Sequence, residues 1–534
     1  MAIDNIYTAG IASGWKVSDA SLFTGNQTLE ADVVIAGTGA GGGTAAEILS
    51  LAGLKVLMLE EGPLKTSDSF KDMDEARAYA DLYQEAAGRA SSDGAISILQ
   101  GRSVGGSTTV NWTSSFRTPP GTLKQWAEVH GVKGMSVAEM APWFEKMERR
   151  LGVAPWAIAP NANNAALKRG CDKLGWEADV IPRNVRGCWN SGYCGYGCPV
   201  NAKQSMLVST IPEALRHGAQ LVHHLRVQTV NVSGGKVSGL TAVAMDAQCI
   251  GTTGVTVQIK ARHYILAGGA LNTPALLLRS RVTDPYDRVG KRTCIHPVNL
   301  TLAQMPDRVD AFYGAPQSIS SDEFQWKADT SKAPGFKMEV SPAYPALSSA
   351  IFARHGKPLM DDLSMLPYTQ LTLALLRDGF HADSAGGTLR VGEAGMPVLE
   401  YEVGDYLWAG FRNAYLRMAE VQFAAGAKRV MPAHLDGQWC DSWAAAKTHI
   451  EGLQYKKFRV SIFTAHLMGG CAMGEDPKQS VARSDGRHHQ VENLSIFDGS
   501  LFPTSIGANP QLSIYGMVSK NATQLAADLG AKSA

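Results

Sequence analysis

The chain has 534 residues, 45% of them apolar and 19% charged, and a formal net charge of +1 at pH 7. That length exceeds a single hydrophobic core, and so small a charge gives no electrostatic basis for binding nucleic acid or an anionic membrane surface. Eight cysteines are too few for a disulfide scaffold, and no apolar run reaches membrane-spanning length.

The N-terminus, MAIDNIYTAGIASGWKVSD, has no basic n-region, apolar h-region or twin arginine. A soluble cytoplasmic protein is expected, with export on a partner's signal left open. Residues 1–30 are polar and mixed, a surface lead-in. The stretch 31–61, ADVVIAGTGAGGGTAAEILSLAGLKVLMLEE, then organises the chain. Val33-Val34-Ile35-Ala36 is a buried-strand run, an Ala-rich segment of helix length follows, and a second strand runs from Lys55 to Leu59. Glycines at 37, 39 and 42 give G-x-G-x-x-G at the first strand-to-helix turn. Gly37 permits the tight turn, Gly39 lets a pyrophosphate approach the backbone, and Gly42 lets the helix lie on the sheet. The helix start offers free N–H groups to phosphate, and Glu60 stands where a ribose hydroxyl needs an acceptor. This is a dinucleotide site, NAD or FAD.

Residues 67–90 read as helix. The turn Gly105-Gly106-Ser107 before Asn111 is built for close approach to a ligand. A helix is expected over 137–155, ending at Gly152, and residues 181–205 form a turn-rich loop. Residues 206–270 read as strands with a turn at Gly234-Gly235, returning to a buried strand at Tyr264–Ala267 and a helix carrying Pro274. Residues 300–455 are mixed strands and helices rich in Trp and Tyr, a substrate-facing region. A last helix is expected over 511–529.

Four separated motifs together resemble the glucose–methanol–choline family of FAD oxidoreductases. They are the opening fingerprint, GRSVGGSTTVN at 101–111, GALNTPALL at 269–277, and AHLMGGCAMG at 465–474 followed by Asp498-Gly499-Ser500 and Asn509-Pro510. The fold class implied is α/β (α+β). A Rossmann-like FAD domain would be discontinuous over 1–125, 200–300 and 456–534. A substrate domain of mixed sheet and helices would take 126–199 and 301–455, with the cysteine loop at 187–199.

The resemblance implies FAD, held non-covalently because Ser103, Thr108 and Thr109 stand where covalent relatives carry a histidine. Arg102, Gly106, Ser107 and Asn111 would follow the pyrophosphate and flavin. The Val227 backbone would meet adenine, and Asp498 would sit near the ribityl and pyrophosphate. His466 is the expected base, taking a hydroxyl proton while hydride passes from the same carbon to flavin N5. Asn509 matches the family's second catalytic position, where an amide donates to developing alkoxide. Pro510 suits a helix start aimed at the flavin.

The expected reaction is oxidation of a small-molecule alcohol, apolar or aromatic, to an aldehyde or ketone. The acceptor stays open between O2, a quinone and a cytochrome. Two alternatives stand beside it: a non-redox FAD lyase, and a cytochrome-linked sugar or polyol dehydrogenase with an iron–sulfur cluster. The latter rests on Cys188-x5-Cys194-x3-Cys198-Pro199, since cysteine runs ending in Cys-Pro are typical of such clusters. The pairs His223-His224 and His488-His489 lack metal-like partners in sequence and read as surface residues.

Overall fold

The β-branched run Val33–Ile35 lies in a strand, Gln27–Ala36, whose last four residues are buried. Gly37 turns the chain into the helix Ala40–Leu51, and the chain returns as the strand Val56–Leu59, parallel to the first. The computed structural model describes residue 3 and residues 5–327, 329–352 and 354–531. Around this unit an eight-stranded sheet is built. Its path runs Lys16–Asp19, Gln220–His223, Val56–Leu59, Gln27–Ala36, Thr252–Leu266, Lys236–Met245 and Leu225–Ser233, and Leu494–Ile496 pairs beside Thr252–Leu266. Pairings from the first strand through Thr252–Leu266 are parallel, and the last two are antiparallel. The strand Gln27–Ala36 has its sequence neighbour on one side and the distant Thr252–Leu266 on the other. Such a reversal leaves a crevice beyond the strands' carboxyl ends.

A second sheet of six strands takes Phe336–Val340, Thr369–Leu376, Val298–Gln304, Ile462–Thr464 and Ile96–Ile98, with Arg429–Pro432 added beside Val298–Gln304. The helix Asp405–Ala424 packs on it. Two buried apolar clusters follow the two sheets. Among the described residues, no helix is long and apolar enough to cross a membrane.

Several expectations need correction. Ile96–Ile98 and Ile462–Thr464 lie within the segments assigned to the nucleotide domain, yet they pair with each other in the second sheet. The helix Val137–Leu151, assigned to the substrate side, packs on the last helix, Gln511–Asp528. Its buried stripe of Met140, Phe144, Met147 and Leu151 needs a partner, and Gly516 makes room: a Cβ there would come within 2.6 Å of the Phe144 ring. That helix ends at left-handed Gly152, as expected, and starts at a Ser136–Glu139 capping box that the sequence reading did not single out. The expected helix over 67–90 breaks into Ser67–Phe70, Glu75–Leu82 and a distorted turn at 84–87. The region 206–270, read as strands, contains the helix Thr210–Arg216.

Candidate active site

Beyond the carboxyl ends of the first sheet lies a cavity of about 620 Å³. Gly37, Gly39, Glu60, Gly106, Ser107, Asn111, Val227, His466, Asp498, Asn509 and Pro510 all line it, although they span most of the chain.

At one end stand the two glycine turns. Gly37 has φ +104°, and a Cβ there would lie 2.4 Å from the Ala267 carbonyl oxygen. Gly39 precedes the helix Ala40–Leu51, whose first N–H groups have no side-chain cap. A Cβ at Gly39 would meet nothing closer than Gly106 Cα at 3.9 Å, so bare backbone faces the cavity. Gly106 faces it from the other turn, where a Cβ would lie 2.8 Å from Gly39 Cα. Gly42 stays off the lining. Its missing Cβ, 1.9 Å from the Gly37 carbonyl oxygen if present, lets helix and turn pack.

The Glu60 carboxylate accepts from Thr38 N at 3.1 Å, Thr38 Oγ1 at 2.6 Å and Gly62 N at 2.9 Å. Burial pushes its pKa up to about 7 despite these donors. Thr38 Oγ1 also accepts from Gly105 N at 3.1 Å, which joins both glycine turns to the acid. Sequence reasoning missed Thr38, an ordinary residue inside the fingerprint. Ser107 Oγ accepts from Gly101 N, and the Val227 carbonyl accepts from Arg279. Asp498 accepts from Gly269 N, Thr273 Oγ1 and Ser500 N, pinning the start of a second helix, Gly269–Arg279. The Arg102 guanidinium donates to the Cys249 carbonyl at 3.0 Å, and Arg102 is not among the residues lining the cavity.

At the other end His466 Nδ1 lies 3.2 Å from His296 Nδ1, with the rings stacked 5.4 Å apart. Burial pushes His466 down to about 4 and His296 well below its ordinary value. Asn509 donates through Nδ2 to Glu339 Oε2 at 3.2 Å, and its Oδ1 has no protein partner. The amide is therefore already engaged by a buried acid, one that desolvation pushes up to about 7. Pro510 opens the last helix, again with no side-chain cap, so its positive end faces the cavity. Gln511 locks this corner, accepting from Asn111 at 2.8 Å and donating to the Ser114 carbonyl at 2.7 Å. His296, Glu339 and Gln511 carried no role in the sequence reading. Only the histidine had a signal, its place before Pro297.

The same cavity has an aliphatic wall of Val298, Leu300, Leu347, Ile351, Leu373 and Leu375. Strand register ties it to the polar groups, because Leu373 pairs with both Leu300 and Glu339, the partner of Asn509.

Cys188, Cys194 and Cys198 line one small pocket with Arg183 and Lys203, and nothing there supports an iron–sulfur cluster. Among the described residues the sulfurs of Cys188, Cys194 and Cys198 do not gather within 4.8 Å of one another. Cys188 accepts from Asn190 N, Cys198 from Lys203 N, and Cys194 from Arg183 at 3.7 Å. Lys203 stands buried among them, donating to the Cys194 and Asn111 carbonyls. The histidine pairs are not surface groups either: His223, His224 and His488 are buried.

Taken as chemistry, the cavity offers bare backbone donors and an acid at one end. At the other it offers a neutral imidazole, an amide and an apolar channel. Family models described as GMC oxidoreductase match residues 79–298 and 384–517. An uncharacterized GMC-type oxidoreductase of Mycobacterium tuberculosis is 30% identical over 499 residues, covering 93% of this chain and 76% of that protein. A long-chain-alcohol oxidase of Arabidopsis thaliana is 29% identical over 515 residues, 91% of this chain and 66% of the plant protein. The pyridoxine 4-oxidase of Mesorbium loti superposes with TM-score 0.64 at 18% identity, covering 92% of this chain and 98% of its own. The formate oxidase of Aspergillus oryzae RIB40 gives 0.65 at 14% identity, covering 94% and 100%.

Proposed function

The chain belongs to the GMC oxidoreductases, and from that membership we propose that it oxidises an apolar aliphatic alcohol to the aldehyde with FAD as its cofactor. The aliphatic wall of the cavity that His466 and Asn509 also line supports the substrate class, and the likeness to a plant long-chain-alcohol oxidase agrees with it.

The residues fit the cofactor. Gly39 and Gly106 expose backbone to a pyrophosphate, the uncapped helix at Ala40 supplies donors, and Glu60 offers carboxylate to a ribose. Asn111, Asp498 and Pro510 would lie along the remainder, with Val227 at the adenine end. Bound FAD supplies the acceptor for the hydride that leaves the alcohol carbon.

The chain's own residues do the rest. With a hydrogen on His466 Nδ1 donated to His296, the His466 Nε2 lone pair is free to take the hydroxyl proton. Asn509, held by Glu339, has one further N–H to offer the oxygen as charge develops on it. Leu300, Leu373 and their neighbours exclude water and hold the alkyl tail.

A series of primary alcohols tests this. Each added methylene buried against the wall contributes about 0.8 kcal/mol, so kcat/KM should rise roughly fourfold per carbon until the channel is full. A flat series, or a preference for sugars, would contradict the aliphatic assignment.

A further inference from the structure

The strand Lys16–Asp19 lies parallel to Gln220–His223, and Asp19 stands opposite His223 in register. Successive residues of a strand point to opposite faces. His224 breaks that rule with φ +54°, and both imidazoles turn toward the Asp19 carboxylate. His224 Nδ1 lies 2.8 Å from Asp19 Oδ1 and 3.0 Å from His223 Nδ1, while His223 Nδ1 is 3.9 Å from the same oxygen. Among the described residues these are the single group of three metal-type donors within 4.8 Å of one another. Both histidines are buried, and none of the three residues lines the large cavity.

Protons do not satisfy this triangle. His224 Nδ1 carries either a hydrogen or a lone pair. A hydrogen aimed at Asp19 leaves His223 Nδ1 facing an N–H that is already used. A lone pair aimed at His223 leaves it facing the carboxylate oxygen. A cation faces all three lone pairs at once. The three distances admit a point about 2.0 Å from every donor, the usual metal–imidazole length. From that point the two short edges subtend near-right angles and the long edge a wide one. This suits square-planar or six-coordinate ions over tetrahedral zinc. Asp19 is partly open to solvent, so water can fill the remaining positions, and Ser21 N and Oγ hold the ligating oxygen in place.

We propose that Asp19, His223 and His224 form a site for one divalent transition-metal ion of the copper or nickel type. The ion joins the outermost strand of the sheet to the turn carrying Glu60. That turn is reached directly: His224 N donates to the Gly62 carbonyl, and Leu225 N to the Glu60 carbonyl. The site's role is structural, fixing the outermost strand to its neighbour.

The test uses the full-length, flavin-loaded protein after chelator treatment, titrated with Cu(II) and, separately, Ni(II). One Cu(II) per chain should bind, its paramagnetic resonance spectrum should show coupling to two nitrogens, and the melting temperature should rise with metal concentration. Asp19→Asn and His223→Gln should each weaken binding at least tenfold while flavin content stays at the wild-type level. His224→Asn, a residue that tolerates positive φ, should remove one nitrogen coupling. The proposal is overturned if wild-type protein takes up neither ion at about 100 µM, or if the variants bind as wild type with the same spectrum. It is equally overturned if the spectrum shows no nitrogen coupling.

Discussion

At position 466, burial rather than a charged partner sets proton affinity. The imidazole is pushed down to about 4, not held near neutrality as the proposed role of base alone would suggest. It is therefore neutral, and able to accept a proton, at every pH above about 4. The acid limb of kcat/KM should break near pH 4, with no loss between 8 and 6, because activity disappears only as the neutral base is protonated. A break at 6 to 7 would mean that the ring is solvated in the working enzyme. Glu60 makes a second residue-scale case. Its three donors come from Thr38 and Gly62, so Glu60→Ala frees the fingerprint turn as well as removing the proposed ribose acceptor. Flavin affinity should fall at least tenfold by titration of the apoprotein, and unchanged affinity would remove Glu60 from the site. The residues legible in the sequence were those whose type is dictated by backbone or by chemistry: Gly37, Gly39, Gly106, His466. Thr38, Glu339 and Gln511 were not legible. Their partners lie up to 400 residues away, as for Gln511 and Asn111, and nothing local marks them.

Two turns and two helix starts form the site at the scale of elements. Each helix, Ala40–Leu51 and Gln511–Asp528, aims an uncapped N-terminus into the same cavity. The turns meet at Gly39 and Gly106, and Gly106 has no room for a Cβ. Gly106→Ala would set a Cβ 2.8 Å from Gly39 Cα at a φ of +54°, forcing the turns apart. A cost of about 1–3 kcal/mol in stability is expected, with loss of flavin binding, measured by thermal melts and flavin titration. Wild-type behaviour would show that the turns do not clamp the ligand. Helices with a clear local stop, such as Gly152 after Val137–Leu151, were readable from sequence. The stretch 67–90 was not, because composition there favoured helix while Glu85 and Ala86 adopt left-handed backbone.

For the molecule as a whole, sheet membership escaped the sequence because strand pairing joins distant segments. Ile96–Ile98 and Ile462–Thr464 meet only through tertiary contact. Burial also sets an overall pH response. His130, His223, His263, His466 and His488 are each pushed down to about 4, and His296 lower still, chiefly by desolvation. Their contribution to stability is full above about pH 6.5, the unfolded value, and is lost as pH falls toward 4. Glu60 and Glu339, raised to about 7, work the other way, losing their contribution as pH rises from about 4.5 through 7. His434 is lowered too, and Glu47, Asp378 and Asp498 are raised, so seven histidines stand against five acids and unfolding takes up protons in this range. The calorimetric melting temperature should climb from pH 4.5 to 6.5, and a flat or falling curve would contradict the buried, neutral histidines.

The joining of proton acceptor and cofactor site in one cavity is tested most directly by anaerobic mixing of flavin-loaded protein with a long-chain primary alcohol, following the yellow absorbance. Wild-type protein should bleach in a single turnover. His466→Ala should keep its colour and bleach roughly 10²- to 10⁴-fold more slowly. Bleaching of the variant at the wild-type rate, or no bleaching of wild type by any alcohol, would contradict the account.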